Sequence, residues 1–145
     1  MSIKLRPIAP QDFPAWLPLW DGNNLGHRDE AITSETWSRL TDPASKVCGL
    51  VAEDKEELVG LIHYILHPTT GAINDICYMQ DVYVAPDRRG KGIAKKMVQN
   101  LAAQGRTEKW ARMYWLAESN NQAAQALYKN LGVKMDFTLH IMAIN

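Results

Sequence analysis

The chain has 145 residues, with sixteen basic and sixteen acidic side chains that give a formal net charge of zero. A balanced charge provides no general attraction to nucleic acid or anionic membranes, and no apolar run approaches the ~20 residues that span a bilayer. We therefore predict one domain over residues 1–145 that is cytoplasmic, binds neither nucleic acid nor membrane, and recognises its partners locally.

The N-terminal segment predicts a short strand and two helices. Pro18 is expected to break or kink the first helix near Leu17, because proline has no amide hydrogen to donate within a helix. In chain order, the predicted elements are a strand over Ile3–Arg6, a helix capped by Asp12, a loop over Trp20–Ile32, and a short helix from Thr33 or Ser34 to Leu40.

The middle of the chain predicts an antiparallel hairpin, a further strand and an amphipathic helix. The hairpin strands are almost continuously apolar, which favours a sheet that is covered on both faces. In chain order, these elements are strands over Val47–Glu53 and Leu58–Leu66, a charged turn over 54–56, a strand over Ile76–Val84, and a helix from Ile93 to near Gly105.

The C-terminal part predicts a strand over Met113–Ala117 and a helix that starts at Asn120 or Asn121 and closes at Gly132. Apolar residues over Val133–Ile144 indicate one or two final strands. The whole order predicts an α/β (α+β) fold, with a mixed, mostly antiparallel central sheet and helices on both faces.

Cysteine and histidine give no sign of a metal site. Cys48 and Cys77 lie in apolar segments outside any Cys-x-x-Cys motif, which favours reduced thiols in the core. The histidines lack the spacing of metal ligands, so we predict no metal and give no role to any of the four: His27, His63, His67 and His140.

A glycine-rich turn between a strand and a helix is the most informative motif. Gly90 and Gly92 allow positive φ and a close approach of the backbone to an anion, and the amides that open the next helix have no intrahelical acceptor. The helix dipole and nearby basic side chains add positive charge. The turn therefore predicts a phosphate-bearing ligand.

The spacing of this turn separates the classes of phosphate site. No Gly-x-x-x-x-Gly-Lys-Ser/Thr run is present, and the dinucleotide fingerprint fails because its last small position falls on Lys95. The segment Arg89-Gly90-Lys91-Gly92-Ile93-Ala94 instead resembles the Arg/Gln-x-x-Gly-x-Gly/Ala signature of the GCN5-related N-acetyltransferase (GNAT) superfamily. A later pattern also resembles that superfamily: Asn121, Ala124, Leu127 and Tyr128. Residues 114–116 further resemble its histone and polyamine acetyltransferase subgroup.

The resemblance implies a GNAT-like acyl-CoA N-acyltransferase fold that uses acetyl-CoA as cosubstrate. The pantetheine arm would pair with the backbone of Val82 and Val84, a backbone amide near Val82 or Tyr83 would polarise the thioester carbonyl, and the pyrophosphate would lie on the glycine-rich turn. The implied cofactor-binding residues are Val82, Tyr83, Val84, Arg89, Gly90, Lys91, Gly92, Ile93, Ala94, Lys95 and Asn121.

Catalytic roles follow from the resemblance and from the chemistry of amide formation. Tyr128 matches the superfamily position that protonates the CoA thiolate, and a phenol is a proton donor at neutral pH. An alkyl ammonium must lose a proton before it can attack, so we expect a base or a water relay. The alternative bases are Asp81, which is expected on the central strand just before the cofactor segment, and Glu118, which follows the neighbouring strand.

The acceptor is expected to be a primary amine, on a small molecule, a polyamine or a protein. Asp21, Asp29 and Glu30 would suit a cationic acceptor, against which Trp20 or Tyr83 could stack. The resemblance also implies a homodimer. The alternatives are a non-catalytic module that binds or senses acyl-CoA, and a nucleotide-binding protein.

Overall fold

The computed structural model describes residues 2–144 and contains a five-stranded sheet in the order β1-β2-β3-β4-β5. The first four strands pair in antiparallel fashion, whereas β5 is parallel to β4. The predicted mixed, mostly antiparallel sheet is confirmed. The strands are β1 (Ile3–Pro7), β2 (Val47–Asp54), β3 (Glu57–His67), β4 (Ile76–Val84) and β5 (Met113–Tyr114).

The helices lie on both faces of this sheet, as the sequence predicted. A buried cluster on one face includes residues of α3, and a second cluster on the other face joins residues of α1 and α2. Within residues 2–144, no helix is long and apolar enough to cross a membrane. The helices are α1 (Phe13–Asn23), α2 (Glu30–Leu40), α3 (Ile93–Glu108) and α4 (Gln122–Tyr128).

The hairpin of β2 and β3 is confirmed, with a two-residue turn. Lys55 and Glu56 have φ angles of 51° and 69°, and positive φ at both turn residues matches the twist of a tight hairpin. Cys48 and Cys77 are free thiols, of which Cys77 is buried.

The predicted break at Pro18 is wrong, because α1 runs from Phe13 to Asn23 through the proline. Trp16, Leu19 and Trp20 flank Pro18 and are buried. Burying each such side chain contributes about 1.5–3 kcal/mol, and together they outweigh the cost of about 3 kcal/mol for a proline inside a helix. Tertiary packing therefore maintains the helix.

The side chain of Asp12 does not cap α1, contrary to the prediction. Its carboxylate accepts hydrogen bonds from the Ala9 amide at 2.7 Å and from the Arg6 guanidinium at 2.7 and 2.8 Å. The hydrogen bond from Arg6 holds the pKa of Asp12 below its ordinary value. Asp12 thus joins the start of α1 to β1 rather than satisfying the helix end.

The connection between α1 and α2 is shorter than the predicted loop over Trp20–Ile32. The α2 helix begins at Glu30, and the Asp29 carboxylate caps it by accepting a hydrogen bond from the Ile32 amide at 3.0 Å. Thr33 is not the cap, because it lies buried inside the helix and its hydroxyl accepts a hydrogen bond from Trp20 Nε1 at 2.9 Å.

The C-terminal part departs furthest from the prediction. The expected strand over Met113–Ala117 has only two residues, and α4 ends at Tyr128 rather than at Gly132. No strand forms in the described part of Val133–Ile144, although apolar side chains there are exposed at every second position. A strand needs a neighbouring backbone ladder, and the short β5 gives this segment little edge to pair with.

Candidate active site

The β4 strand has one open edge. Its pairing with β5 is limited to Cys77 and Tyr78. The Ala85 amide donates to the Val59 carbonyl at 2.9 Å, and alternate residues of an antiparallel strand direct their backbone groups to opposite sides. The amides and carbonyls of Val82 and Val84 therefore point toward the open edge, whereas those of Tyr83 point toward β3.

A β-bulge in β4 decides which side chains share a face. Asp81 pairs with His63 and Met79 pairs with Tyr64, so Gln80 is an extra residue. Cys77 and Met79 precede the bulge and pack against the α3 side; Val82 and Val84 follow it and pack on that same side. The alternation is thus shifted by one residue, which turns Asp81 toward the α1 side.

A buried chain of hydrogen bonds starts at α1 and ends at Asp81. Trp16 Nε1 donates to His63 Nε2 at 3.0 Å, and His63 Nδ1 lies 3.0 Å from Asp81 Oδ2. Trp16 and His63 are 0% and 3% exposed, whereas the Asp81 side chain is 24% exposed. Asp81 therefore has one oxygen held by buried groups while its side chain stays in contact with solvent.

The glycine-rich turn has the geometry of an anion site. Gly90 and Gly92 both have φ of 78°, and a Cβ at either would point into open space. No side chain caps α3, and the Gly92 carbonyl accepts its first helical hydrogen bond from the Lys96 amide at 3.0 Å. The preceding amides, those of residues 93–95, have no intrahelical acceptor and face this space.

The two arginines before the turn have different environments. Arg88 donates to Asp54 at 2.6 Å and to Glu57 at 2.9 Å, so its charge is already balanced. Arg89 donates from Nε to the Val84 carbonyl at 2.9 Å, and its guanidinium lies 5.2 Å from the centre of the Tyr83 ring. Arg89 therefore connects the open edge of β4 to the turn, and Lys91 and Lys95 are exposed beside it.

The α4 helix carries Asn121 and Tyr128. Asn121 caps it, since its Oδ1 accepts a hydrogen bond from the Ala124 amide at 3.1 Å. Tyr128 packs against Trp115 with ring centres 5.2 Å apart, among the residues of the α3 side. Burial raises the pKa of the Tyr128 phenol. The phenol is therefore protonated at neutral pH and is a competent acid.

The structure distinguishes the two candidate bases by their surroundings. Glu118 is exposed, and its backbone carbonyl accepts hydrogen bonds from the Asn121 amide and from Gln125 Nε2, each at 3.0 Å. Asp81 lies on β4, next to the central strand β3 rather than on it as predicted, and is bound by a buried histidine. From the sequence, no role was predicted for His63. The shift of the apolar alternation between Met79 and Val82 was nevertheless a sign of the bulge that brings Asp81 opposite His63.

The acidic residues proposed for a cationic acceptor are engaged by other groups. Asp21 is bound by Arg28, with Nε donating to its carboxylate at 2.8 Å, and this hydrogen bond lowers the pKa of Asp21. Glu30 lies 3.4 Å from the same guanidinium, and Asp29 caps α2. Within residues 2–144, no group of three or more His, Cys, Asp or Glu side chains is arranged to hold a metal.

Comparison with known proteins gives a consistent picture. The model of the acetyltransferase (GNAT) family matches residues 10–133. A D-amino-acid N-acetyltransferase of Saccharomyces cerevisiae is 29% identical over 143 residues, which cover 95% of this chain and 89% of the relative. A thialysine N-epsilon-acetyltransferase of Sus scrofa is 34% identical over 76 residues, or 52% of this chain and 42% of the relative.

Solved structures show the same fold. The structure of AAC(6')-Iy in complex with the bisubstrate analogue CoA-S-monomethyl-acetylneamine has a TM-score of 0.84 against this chain. The alignment covers 100% of this chain and 99% of the other, at 16% sequence identity. At that identity the similarity supports the arrangement of strands and helices, and the site must be interpreted from the residues of this chain.

Proposed function

The chain belongs to the acetyltransferase (GNAT) family and is an acetyl-CoA-dependent N-acetyltransferase of amines; we propose that its acceptor is a small amino acid. The observation that carries this proposal is the similarity over 95% of the chain to an enzyme named for D-amino acids. The thialysine acetyltransferase also takes its name from an amino acid.

The charges at the α1–α2 connection support an amino acid over a polyamine. A polyamine needs free carboxylates, whereas the Asp21 and Glu30 carboxylates lie within 2.8 and 3.4 Å of nitrogens of Arg28. The two carboxylates share one guanidinium and so still attract an ammonium group, while Arg28 offers a cation to the carboxylate that an amino acid has and a polyamine lacks. The acceptor amine would approach from this side of the sheet, which is also the side toward which Asp81 turns.

The residues that would hold acetyl-CoA are those at the open edge of β4 and at the glycine-rich turn. The Val82 amide and carbonyl and the Val84 amide are backbone groups that an extended amide chain could pair with, while the Val84 carbonyl accepts from Arg89. Residues 93–95 offer free amides to a diphosphate. Arg89, Lys91 and Lys95 add charge, and Asn121 is close in sequence to the strand that separates from β4. When bound, acetyl-CoA supplies the acetyl thioester.

Three groups would assist acetyl transfer: a base (Asp81), a hydrogen-bond donor to the acetyl oxygen (the Val82 amide) and an acid (Tyr128). Asp81 would take the proton of the acceptor ammonium on its free oxygen, leaving a neutral amine. The Val82 amide would donate a hydrogen bond to the acetyl oxygen, where negative charge develops. Tyr128, from the opposite face, would give its proton to the departing sulfur. The C–N bond forms and the C–S bond breaks, and the nitrogen loses two protons in passing from ammonium to amide. Asp81 would take the first, the second would return the Tyr128 phenolate to phenol through solvent, and Asp81 would then release one net proton to solvent in each turnover.

Release of the free CoA thiol in the presence of acetyl-CoA and separate amines tests the acceptor. We expect turnover with amino acids, with kcat/KM at least about tenfold above that of polyamines, a lysine peptide or an aminoglycoside, which is a difference of about 1.4 kcal/mol in activation free energy. Both D- and L-amino acids belong in the panel. Turnover of polyamines alone would refute the amino-acid assignment.

A second measurement separates the enzyme from the two alternatives. Tight binding of acetyl-CoA without turnover of any amine would favour a sensing module. Preference for ATP or NAD over acetyl-CoA in equilibrium binding would contradict the assignment of the turn. Retention of a buried, protonated Tyr128 supports the enzyme, because a module that only binds acyl-CoA has no need of an acid there.

A homodimer formed through the C-terminal segment is also part of the proposal. Apolar side chains there alternate with polar ones and are 63–87% exposed: Val133, Met135, Phe137, Leu139 and Ile141. Such alternation is typical of a strand with one buried face, which a second copy could cover. Light scattering should give twice the chain mass, and Phe137→Asp should return it to that of a monomer. A monomeric parent protein would refute this part.

A further inference from the structure

We propose that His63 is a positioning residue for acetyl transfer, held as a neutral imidazole by Trp16 so that it fixes Asp81 without taking its charge. This inference deepens the proposed function and depends on Asp81 acting as the base. The neutral state of His63 follows from its two hydrogen bonds, because the Trp16 indole can only donate and the ionised Asp81 carboxylate can only accept.

The two contacts determine where the proton of His63 lies. An indole N–H can only donate, so His63 Nε2, 3.0 Å from Trp16 Nε1, must carry a lone pair. An ionised carboxylate can only accept, so His63 Nδ1, 3.0 Å from Asp81 Oδ2, carries the hydrogen. The imidazole is then neutral, with its proton directed at Asp81.

Burial of Trp16 makes this state hard to change. Trp16 is 0% exposed, and its indole N–H makes no other hydrogen bond among residues 2–144. Protonation of His63 Nε2 would place two donors against each other and leave a buried N–H without a partner, which is unfavourable. Two further neighbours of His63 carry no charge: Trp20 packs on its ring with centres 5.7 Å apart, and Gly49 is opposite on β2.

A neutral His63 benefits a base in two ways. The hydrogen bond to Oδ2 fixes the rotation of the Asp81 carboxylate and leaves Oδ1 for the acceptor. An imidazolium would instead form an ion pair with Asp81, and an adjacent positive charge makes a carboxylate a weaker base. Burial, and to a lesser extent the charges of Tyr114 and Asp81, raise the pKa of the nearby Tyr78 phenol, which therefore stays neutral at physiological pH.

Nitrogen NMR of the unmodified protein tests the tautomer without reference to activity. Long-range correlations to the imidazole ring should show a protonated Nδ1 and a bare Nε2 for His63, unchanged between pH 8 and about pH 6. A protonated Nε2 at neutral pH, either as the other tautomer or as imidazolium, would overturn the proposal. This measurement succeeds or fails independently of the reaction that the enzyme catalyses.

Trp16→Phe tests the consequence for catalysis, with Trp20→Phe as the matched control. Both changes keep a buried aromatic ring on α1 and remove an indole N–H, but the Trp20 indole donates to Thr33 at 2.9 Å rather than to His63. In Trp16→Phe, Nε2 becomes free to protonate. We expect kcat/KM near that of the parent at pH 8 and an additional loss of about tenfold by pH 6, because a proton on Nε2 would place a positive charge beside Asp81.

The control and one conservative variant make each result decisive. Trp20→Phe should lower kcat/KM by the same factor at every pH. His63→Gln, a neutral side chain that can both accept and donate, should keep the shape of the parent profile, whereas His63→Leu should lower kcat with little change in KM for acetyl-CoA. An unchanged pH profile in Trp16→Phe would overturn the positioning role. Full turnover in Asp81→Asn would refute the base and the catalytic part of this inference, while the NMR result would still report on the tautomer.

Discussion

Removal of the Tyr128 hydroxyl is the sharpest test of the proposed chemistry. Tyr128→Phe keeps the ring that packs on Trp115 at 5.2 Å and removes only the phenolic oxygen. Within residues 2–144 that oxygen makes no hydrogen bond with the protein, so the substitution should change the free energy of unfolding by less than about 0.5 kcal/mol. Any loss of rate can then be attributed to chemistry rather than to folding.

The expected loss is that of one general acid. Such groups contribute about 10²–10⁴-fold, and we expect kcat to fall about 10²–10³-fold, equivalent to about 2.7–4 kcal/mol of activation free energy. Because burial raises the pKa of Tyr128 above its ordinary value, the phenol should stay protonated and active across the range from pH 7 to about pH 9. Activity that depends on it should decline only at higher pH, where the phenol ionises.

The assay is stopped-flow release of CoA with saturating acetyl-CoA, together with equilibrium binding of acetyl-CoA. Tyr114→Phe is the control, because its hydroxyl hydrogen-bonds to His67 at 2.9 Å and has no part in the proposed reaction. An unchanged kcat in Tyr128→Phe, or a loss confined to acetyl-CoA affinity, would refute the acid role.

Three further changes test the anion site, the helix packing and the buried groups. Gly92→Asp should weaken acetyl-CoA binding at least about 100-fold relative to Gly92→Asn, because both side chains tolerate positive φ but only the carboxylate repels a diphosphate. Equal affinities of the two variants would exclude the turn as the site of the diphosphate. Gly22→Ala should destabilise the fold by about 1–3 kcal/mol in urea unfolding, because the new Cβ would overlap the Tyr83 phenol. Adding Tyr83→Phe should relieve part of this loss. If the changes in unfolding free energy of the two substitutions simply added, direct contact would be contradicted. Burial raises the pKa of Cys77 from 9.0 to about 12 and that of Tyr64 from 10.0 to about 12. Between pH 8 and 11 the unfolded chain therefore loses protons that the folded chain keeps. The free energy of unfolding should fall by about 2–4 kcal/mol over that range. A flat dependence on pH would show that these groups ionise equally in both states.

Local chemistry made much of this protein predictable. The glycine-rich turn depends on neighbouring residues alone: two positive φ angles and the free amides of one helix end. The spacing of its residues, with the later pattern that ends in Tyr128, identified the family correctly. The β2–β3 hairpin and α3 were likewise recognisable, because strand alternation and helix periodicity arise from the same backbone geometry wherever they occur.

Other features depended on contacts between distant parts of the chain. Pro18 should have broken α1, and only the burial of Trp16, Leu19 and Trp20 against the sheet explains why the helix continues. The C-terminal apolar alternation predicted a strand, but a strand forms only where another backbone offers its hydrogen bonds. The site residues given by the resemblance stay predictions until the variants above are measured.

The sequence by itself determined the local geometry of the turn and the family, and it suggested the acid in the second motif, because each depends on residues a few positions apart. Only the tertiary structure brought His63 next to Asp81. A single extra residue in β4 shifts the side-chain alternation, turns Asp81 toward the α1 side and brings it 3.0 Å from a histidine held by Trp16. Such a relation between three elements has no local signature, since it exists only after the sheet has paired and α1 has packed on it.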